Sequence, residues 1–513
     1  MFDATPLLSL YASLRRARLG SASHIEQQSK QLLSLVSQAK DTLFGREYHF
    51  ESIKSVEEFQ RRVPLRTYEQ FWQQYWKDRF PILESCTWPG KVPFFAVSSG
   101  TTSGKTKYIP YTAAMRRSNT KAGLDLLVHH LTNRPKSRIF AGKSFILGGS
   151  TDLIEESRGV WSGDLSGISV KTLPWWAKPY YFPPAELALI KNWEEKLDVL
   201  SKRSLDERIT LLSGVPSWLL IFLKKVADIS PQHDLRIADL YPHLEMLVHG
   251  GVNFAPYQKH FSELLEGSHA ELREVYPASE GFVAIADRGY NEGLRLICDH
   301  GIFFEFVPVE ELSSTSPRRH WLQNIEAGVN YAIVLTTCAG LWAYVLGDTV
   351  KFIETNPPRL LVTGRTSYFL SAFGEHLTGE EIEQATSFAA AEAGLSLTDY
   401  SVGAVYPERS GQLGGHLFVV EFEDDQWSGT QIERFQSQLT AKLCELNDDY
   451  DAHYAGGVGL EAPKIMTVKP GSFAEWMKSR GKLGGQHKVP RIITDQDLFR
   501  SLVKFMSDAE RAE

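Results

Sequence analysis

The run Ser98-Ser99-Gly100-Thr101-Thr102-Ser103-Gly104-Lys105-Thr106-Lys107 concentrates hydroxyls, glycines and lysines directly after an apolar stretch. Glycine lets the backbone approach an anion closely, so amide N–H groups line a concave nest. Hydroxyls add donors and a lysine adds charge, and the chemistry this suits is phosphate binding. The common nucleotide-hydrolase loop places four residues between its first glycine and its Gly-Lys-Ser/Thr end. Gly100 and Gly104 enclose only three, which argues against that class. Further runs place reactive types beside glycine or at strand ends: His249-Gly250-Gly251, Tyr276-Pro277-Ala278-Ser279-Glu280 and Gly347-Asp348. The stretch Gly481 to Arg491 is a glycine-rich, basic loop too polar for a core.

These runs need rigid elements to hold them. The hydrophobic pattern predicts helices in the first 80 residues, including His24 to Leu43, and Ser55-Val-Glu-Glu58 has capping-box spacing. Pro93 to Ser99 reads as a strand, and the Ser98 to Lys107 loop is expected to join it to a helix over Thr112 to His130. Lys143 to Gly149, Ile209 to Gly214, Leu244 to Val248 and Leu272 to Val275 read as further strands, each ending in small or reactive residues. Strands alternating with helices predict an α/β architecture with a largely parallel core sheet, in which ligands sit where strands end in loops. After Leu360 to Arg365 the pattern becomes a compact α+β one. It has helices over Gly379 to Ala393 and Thr430 to Tyr450, and strands at Tyr400 to Tyr406, His416 to Phe422 and Lys464 to Val468.

Composition narrows the class. The chain has 513 residues, 43% hydrophobic and 23% charged, enough for a sizeable core and more than one domain. Its 55 basic and 62 acidic residues give a net charge of −7, a poor match for a nucleic-acid surface. Cys86, Cys298, Cys338 and Cys444 are far apart and form no Cys-x-x-Cys pair, and no His-Glu-x-x-His occurs. Buried thiols in a reducing compartment are expected, without a zinc site or disulfide framework. Ala327 to Gly347 carries no charge, but its polar residues and the turn Cys338-Ala339-Gly340 split it into two buried strands, Tyr331 to Thr337 and Leu341 to Leu346. The start of the chain lacks the basic and apolar regions of a secretory signal. A cytoplasmic protein without membrane or nucleic-acid partners, monomeric or weakly dimeric, is expected.

The phosphate loop resembles the Ser-Ser-Gly-Thr-Thr-Gly-x-x-Lys loop of the adenylate-forming superfamily, with one extra residue before Lys107. In order along the chain, Ser98 to Pro110 (SSGTTSGKTKYIP), Tyr276 to Glu280 (YPASE) and Tyr344 to Asp348 (YVLGD) are similar to the three nucleotide-binding motifs of the auxin-responsive (Gretchen Hagen) acyl-acid amido synthetases. His249-Gly-Gly251 with Pro256-Tyr257, Thr363-Gly-Arg365, Gly374-Glu375 and Gln486 to Arg491 (QHKVPR) add to the resemblance, which spans about residues 55 to 495 and suggests a bacterial-type member. It implies a large N-terminal ATP- and acyl-acid-binding domain with mixed or parallel sheets over 1–364. A small mobile α+β lid over 365–513 would turn on a hinge near 364–376.

The implied reaction uses ATP and Mg²⁺ to adenylate a carboxylic acid, then passes the acyl group to an amino acid. The resemblance implies that Ser98, Ser99 and Thr102 contact phosphates, with Lys107 or Lys105 neutralising them. Gly250, Gly251, Val252 and Asn253 would line the adenine, and Tyr276 would border it. Ser279 would donate to the α-phosphate, Glu280 would bind Mg²⁺, and Asp348 would accept from the ribose hydroxyls. Arg365 would hold ribose or phosphate at the joint, and Lys488 would be the mobile catalytic lysine. Arg116 is a candidate partner for the substrate carboxylate, and Trp161 and Trp176, with Trp175, are candidate walls of an aryl pocket. An exposed arginine and ordinary packing are the competing readings. Where plant members carry Asp-Lys-Thr near the hinge, this chain has Glu375-His376-Leu377-Thr378, so hinge roles do not transfer. An acid–thiol ligase sharing the first half-reaction, and a silent nucleotide- or acid-binding protein, are the alternatives.

Overall fold

A computed structural model describes the chain apart from residues 1, 22, 100–105, 149–151, 191–192, 231–235, 252–253, 255–256, 290, 313, 367–368, 371–376, 407–413, 448–449, 452–453, 455–459, 482–488 and 512–513. It forms two compact units, Met1–Val362 and Thr363–Glu513.

The strands of the first unit are β1 (Phe94–Ser99), β2 (Thr106–Tyr111), β3 (Lys143–Leu147), β4 (Leu153–Ser157), β5 (Val160–Gly163), β6 (Tyr181–Phe182), β7 (Ile209–Gly214), β8 (Met246–Gly250), β9 (Glu271–Ala278), β10 (Gly281–Ile285), β11 (Leu294–Leu296), β12 (Ile302–Pro308), β13 (Asn330–Thr337), β14 (Tyr344–Thr355) and β15 (Pro358–Arg365). They build an 11-stranded sheet, β12-β13-β14-β15-β11-β10-β9-β8-β7-β3-β6, and a four-stranded one, β2-β1-β5-β4. In the large sheet β6, β3, β7, β8 and β9 run parallel. The pairs β9–β10, β10–β11, β11–β15, β12–β13 and β13–β14 are antiparallel. The largely parallel sheet expected from strand–helix alternation is therefore a mixed one. Beyond β9 most connections are too short to hold a crossover helix, so the chain can only fold back on itself.

Local sequence accounts for the frame around the site. The helix Ala113–Asn133 starts at Thr112, whose Oγ1 accepts from Met115 N at 3.1 Å and donates to the Cys338 carbonyl at 2.8 Å. One hydroxyl thus caps the helix and ties it to the β13–β14 turn. Ser55 caps the helix Val56–Arg62 through Glu58 N, but the Glu58 carboxylate takes Lys54 N, so only half of the expected capping box forms. The edge strand β12 is buried along its length beneath the helix His24–Ala39. There Gln28 donates to the carbonyls of Cys298 and Ile302 and accepts from Phe304 N at 2.8 Å, filling the polar positions that an edge leaves open.

The uncharged run Ala327 to Gly347 becomes β13, a turn and the start of β14, and among the described residues no helix is long and apolar enough to cross a membrane. The second strand begins at Tyr344 rather than at Leu341. Ala343 has φ 46° and sends its N–H to Thr336 Oγ1, which takes the preceding residues out of the ladder.

In the second unit β18 (Leu397–Val405), β19 (Gly415–Phe422) and β20 (Lys464–Val468) form a three-stranded sheet, following the two-stranded β16 (Phe369–Leu370) and β17 (Leu377–Thr378). Alternation along β19 separates two cores. Phe418, Val420 and Phe422 pack with the helices Gly379–Ala393 and Gly429–Leu446, while Val419 packs with Ser472–Ser479 and Gln496–Arg511.

Candidate functional site

The hydroxyl-rich run does not lead from a strand into a helix. Its flanks are β1 and β2, an antiparallel pair in which Ser98 stands opposite Lys107 and Ser99 opposite Thr106. The loop is therefore the tip of a hairpin, and the helix begins one strand later, after Tyr111. β2 is short and begins with the polar Thr106 and Lys107, so nothing sets its extended segment apart from the hydroxyl-rich run before it. Thr102 and Lys105 lie outside the described residues. The Lys107 ammonium stands 5.5 Å from the ring centroid of Tyr68, whose hydroxyl accepts from Tyr108 N at 2.8 Å.

The Tyr276 motif occupies the end of β9 and its turn. Ala278 pairs with Gly281, so Ser279 and Glu280 are the two turn residues of the β9–β10 hairpin, and β9 runs three residues beyond the expected Val275. Asp348 lies inside β14, not after a strand. The preceding Gly347 has φ 94°, a conformation that favours glycine and kinks the strand at this point.

Two hydroxyl–carboxylate contacts join these motifs. The Tyr276 hydroxyl donates to Asp348 Oδ2 at 2.6 Å, and the Tyr344 hydroxyl donates to Glu280 Oε1 at 3.0 Å. All four residues are buried. Burial pushes the Glu280 carboxyl above its usual range and the charge of Asp348 pushes the same way, while Lys107 and the Tyr344 hydrogen bond oppose the shift. Burial and the neighbouring Glu280 charge push the Tyr344 phenol well up, so it remains a donor. In the large sheet β10, β11 and β15 lie between β9 and β14. The contacts thus reach across three intervening strands, and register shifts interrupt the β9–β10 and β13–β14 pairs close to them.

Gly250 ends β8 against β9. A Cβ there would stand 2.2 Å from the Val275 carbonyl oxygen, so the close approach of the two strands requires glycine. Gly251 follows with φ 82°, and Val252 and Asn253 lie outside the described residues. Arg365 ends β15 and is exposed; Gly374, Glu375 and Lys488 lie outside the described residues. Arg116 is exposed in the first turn of its helix. Trp161 is half-buried on β5 with the Lys171 ammonium 3.5 Å from its ring centroid. Trp176 is 61% exposed and Trp175 82%.

Three residues were not singled out individually from sequence. Tyr344 opens the third motif and bonds the acid of the second. The available signal was the repeated Tyr-x-x-x-acid spacing, Tyr276 to Glu280 and Tyr344 to Asp348. His249 stacks on Phe254 at 3.7 Å with neither ring nitrogen hydrogen-bonded among the described residues, and burial drives its pKa down to about 3, so it is neutral. Glu274 pairs with His249 across β8–β9 and shares the strand face of Tyr276, and burial pushes its carboxyl up to about 7. Nothing in the sequence marks either as unusual, because burial decides both.

A large mixed sheet with a smaller sheet carrying a hydroxyl-rich hairpin, followed by a separate α+β unit, is the fold of the adenylate-forming enzymes. The structure of a GH3.15 acyl acid amido synthetase superposes with a TM-score of 0.77 at 19% identity, covering 94% of this chain and 93% of that one. A 2-hydroxyisobutyryl-CoA ligase with 2-HIB-AMP bound gives 0.60 at 16% identity, covering 93% and 91%. Within that class the chain belongs to the GH3 family: the family's N-terminal domain matches residues 18–270, its central domain 295–365 and its C-terminal domain 380–497. An indole-3-acetic acid-amido synthetase of Arabidopsis thaliana is 24% identical over 329 residues, 59% of this chain and 54% of that protein. The match thus spans about half the length of this curated relative.

Proposed function

We propose that this protein is an ATP-dependent acyl-acid amido synthetase. A carboxylate oxygen of the acid attacks the α-phosphorus of ATP, forming acyl-AMP and expelling pyrophosphate. An amino acid's amine then attacks the acyl carbon, forming the amide, and AMP leaves with the former carboxylate oxygen on its phosphorus. The observation that carries this reading is the convergence of the three motifs in the first unit. Glu280 is bonded to Tyr344 and Asp348 to Tyr276, and the charge of Lys107, on the hairpin of the first motif, opposes the rise of the Glu280 carboxyl. Family membership supports the same reading.

In this proposal the hydrogen-bond donors of Ser98, Ser99 and Thr102 and the charge of Lys107 stabilise negative charge as it moves onto the pyrophosphate. Gly250 to Asn253 and Tyr276 border the adenine, Asp348 accepts from the ribose, and Ser279 donates to the α-phosphate. Glu280 fits a magnesium partner. Magnesium takes one or two carboxylates beside phosphate oxygens, and a carboxyl whose charged form is held back by burial gains from a cation. When bound, that ion would neutralise charge on the triphosphate. Arg116, Trp161 and Trp176 remain candidates for the acid's side of the pocket. The second unit acts as the lid through a hinge near 364–376, bringing Arg365 and Lys488 to the first half-reaction in a cytoplasmic setting.

AMP release in the presence of ATP, Mg²⁺ and a panel of aryl and alkyl acids with each amino acid tests the reading, with coenzyme A as a parallel acceptor. An acid–amino acid pair that releases AMP and yields an amide is expected. Release only with coenzyme A would assign the thiol reaction, and no release with any pair would reject both. Lys488→Ala is expected to slow acid-dependent pyrophosphate exchange at least tenfold; exchange at the wild-type rate would remove Lys488 from the mechanism.

A further inference from the structure

The two Tyr-x-x-x-acid motifs are wired crosswise. Tyr276 and Glu280 belong to one motif and Tyr344 and Asp348 to the other, yet each tyrosine donates to the carboxylate of the opposite motif. Glu280 sits in a two-residue turn, which alone leaves its side chain several rotamers. Tyr344 has no such freedom. It is fully buried, its backbone bridges to Arg66 and its ring packs 6.2 Å from Phe71. A fixed hydroxyl on Oε1 sets the rotamer of Glu280 and turns the carboxylate's other oxygen in a defined direction. Tyr276 likewise stands on a strand whose neighbour β8 approaches closely at Gly250, and its 2.6 Å bond is short enough to fix Asp348.

We propose that Tyr344 is a positioning residue that presents Glu280 to the metal–triphosphate end of the nucleotide, and that Tyr276 positions Asp348 for the ribose. The crossing gives each tyrosine a function in the opposite motif from its own. The inference rests on the nucleotide assignment made above, but it separates two effects that a mere contribution to packing would merge.

The experiment is calorimetric titration of the full chain with ATP, in Mg²⁺ and in EDTA, and with 2′- and 3′-deoxy-ATP in Mg²⁺. Tyr344→Phe is expected to weaken binding about 10–100-fold in Mg²⁺, as loss of a partner that orients a metal ligand does. It should leave binding in EDTA and the preference for ATP over the deoxy nucleotides unchanged. Tyr276→Phe is expected to do the reverse, eroding the ribose preference while leaving the ratio of Mg²⁺ to EDTA affinities intact. In a Glu280→Gln background Tyr344→Phe should add no further loss in Mg²⁺, and the melting temperature of each variant in the absence of nucleotide separates a loss of binding from a loss of folding. The proposal is overturned if Tyr344→Phe binds like wild type in Mg²⁺, if both tyrosine variants shift both readouts together, or if Tyr344→Phe and Glu280→Gln add fully. Absence of ATP binding by the wild type would instead remove the nucleotide reading beneath it, and the proposal with it.

Discussion

Around Arg15 every carboxylate is met by a cation, whereas around Glu280 two acids stand close together with Lys107 as the described cation acting on Glu280. The Arg15 guanidinium, 5% exposed, makes two 2.7 Å bonds to Asp125 and two to Asp299, and Lys121 reaches Asp299 at 2.5 Å. These bonds join the helices Thr5–Ser21 and Ala113–Asn133 to the segment following β11. Burial disfavours the charge of Asp299, but Arg15 and Lys121 outweigh it and hold the carboxyl well below its usual range. At Glu280 the partner is a neutral hydroxyl, and burial wins. Both clusters are buried in the same unit, so burial itself is not the difference. The first cluster has its counter-charge built into the fold, whereas at Glu280 burial outweighs the opposing influence of Lys107 and the charged form is disfavoured. This contrast supports the ligand role proposed for Glu280.

Breaking the closed cluster is expected to have the largest effect. Arg15→Ala strands the buried Asp125 carboxylate, leaves the half-buried Asp299 with Lys121 alone, and should cost about 3–5 kcal/mol. Urea unfolding of the variant measures this, and ATP affinity of the remaining folded protein at low temperature should be unchanged. A loss below about 1 kcal/mol would mean that the cluster is not closed in solution.

Glu280→Gln should give the opposite pattern. The amide keeps an acceptor for Tyr344 and removes a charge that burial and Asp348 both disfavour. Unfolding free energy at pH 8 should therefore hold or rise, while acid-dependent pyrophosphate exchange falls about 10²–10³-fold. A variant that loses stability and activity together would place Glu280 among the structural charges beside Arg15.

The sequence and the folded chain divide the information about this contrast unevenly. Ser98 to Lys107, Tyr276 to Glu280 and Tyr344 to Asp348 are legible as ordered motifs because their spacing along the chain is fixed. The helix Gly379–Ala393 and the strands β7 and β20 appear where hydrophobic periodicity puts them. The hairpin β1–β2 is not legible, because Thr106 to Tyr111 is short and opens with the polar Thr106 and Lys107 that continue the hydroxyl-rich run. Nor is the crossing of the tyrosines, which joins β9 and β14 across three intervening strands of the sheet. Arg15 and Asp299 are far apart in sequence and carry no motif, so their pairing is a property of the tertiary fold alone.

Glu274 extends the contrast to smaller energies. Burial pushes its carboxyl up to about 7, against an ordinary 4.5. Between those values the folded state binds more protons than the unfolded one, so this residue's favourable contribution is complete at low pH and is lost as pH rises through 7. Glu274→Gln removes the titration. Its stability relative to wild type should rise with pH, by about 2 kcal/mol between pH 5 and pH 8. Melting temperatures of both proteins across that range measure it. A constant difference would show that a counter-charge reaches Glu274, making it part of a closed cluster.

The smallest effect lies at the rim of the closed cluster. The Lys121 side chain is 29% exposed, and Asp299 keeps Arg15 when Lys121 is removed. Lys121→Met retains most of the apolar stem and loses only the ammonium, so it should cost about 1 kcal/mol or less. Water reaches this ion pair, and added salt should screen it, shrinking the difference from wild type as ionic strength rises from 0.05 to about 0.5 M. The loss in Arg15→Ala should respond less to the same salt, because its main part comes from the pair of Arg15 with Asp125, which is out of reach of counter-ions. If the two variants respond alike to salt, the graded cluster with a buried centre and a screened rim gives way to a uniformly hydrated one. The distinction between charge paired within the fold and charge disfavoured by it would then have to rest on Glu280 alone.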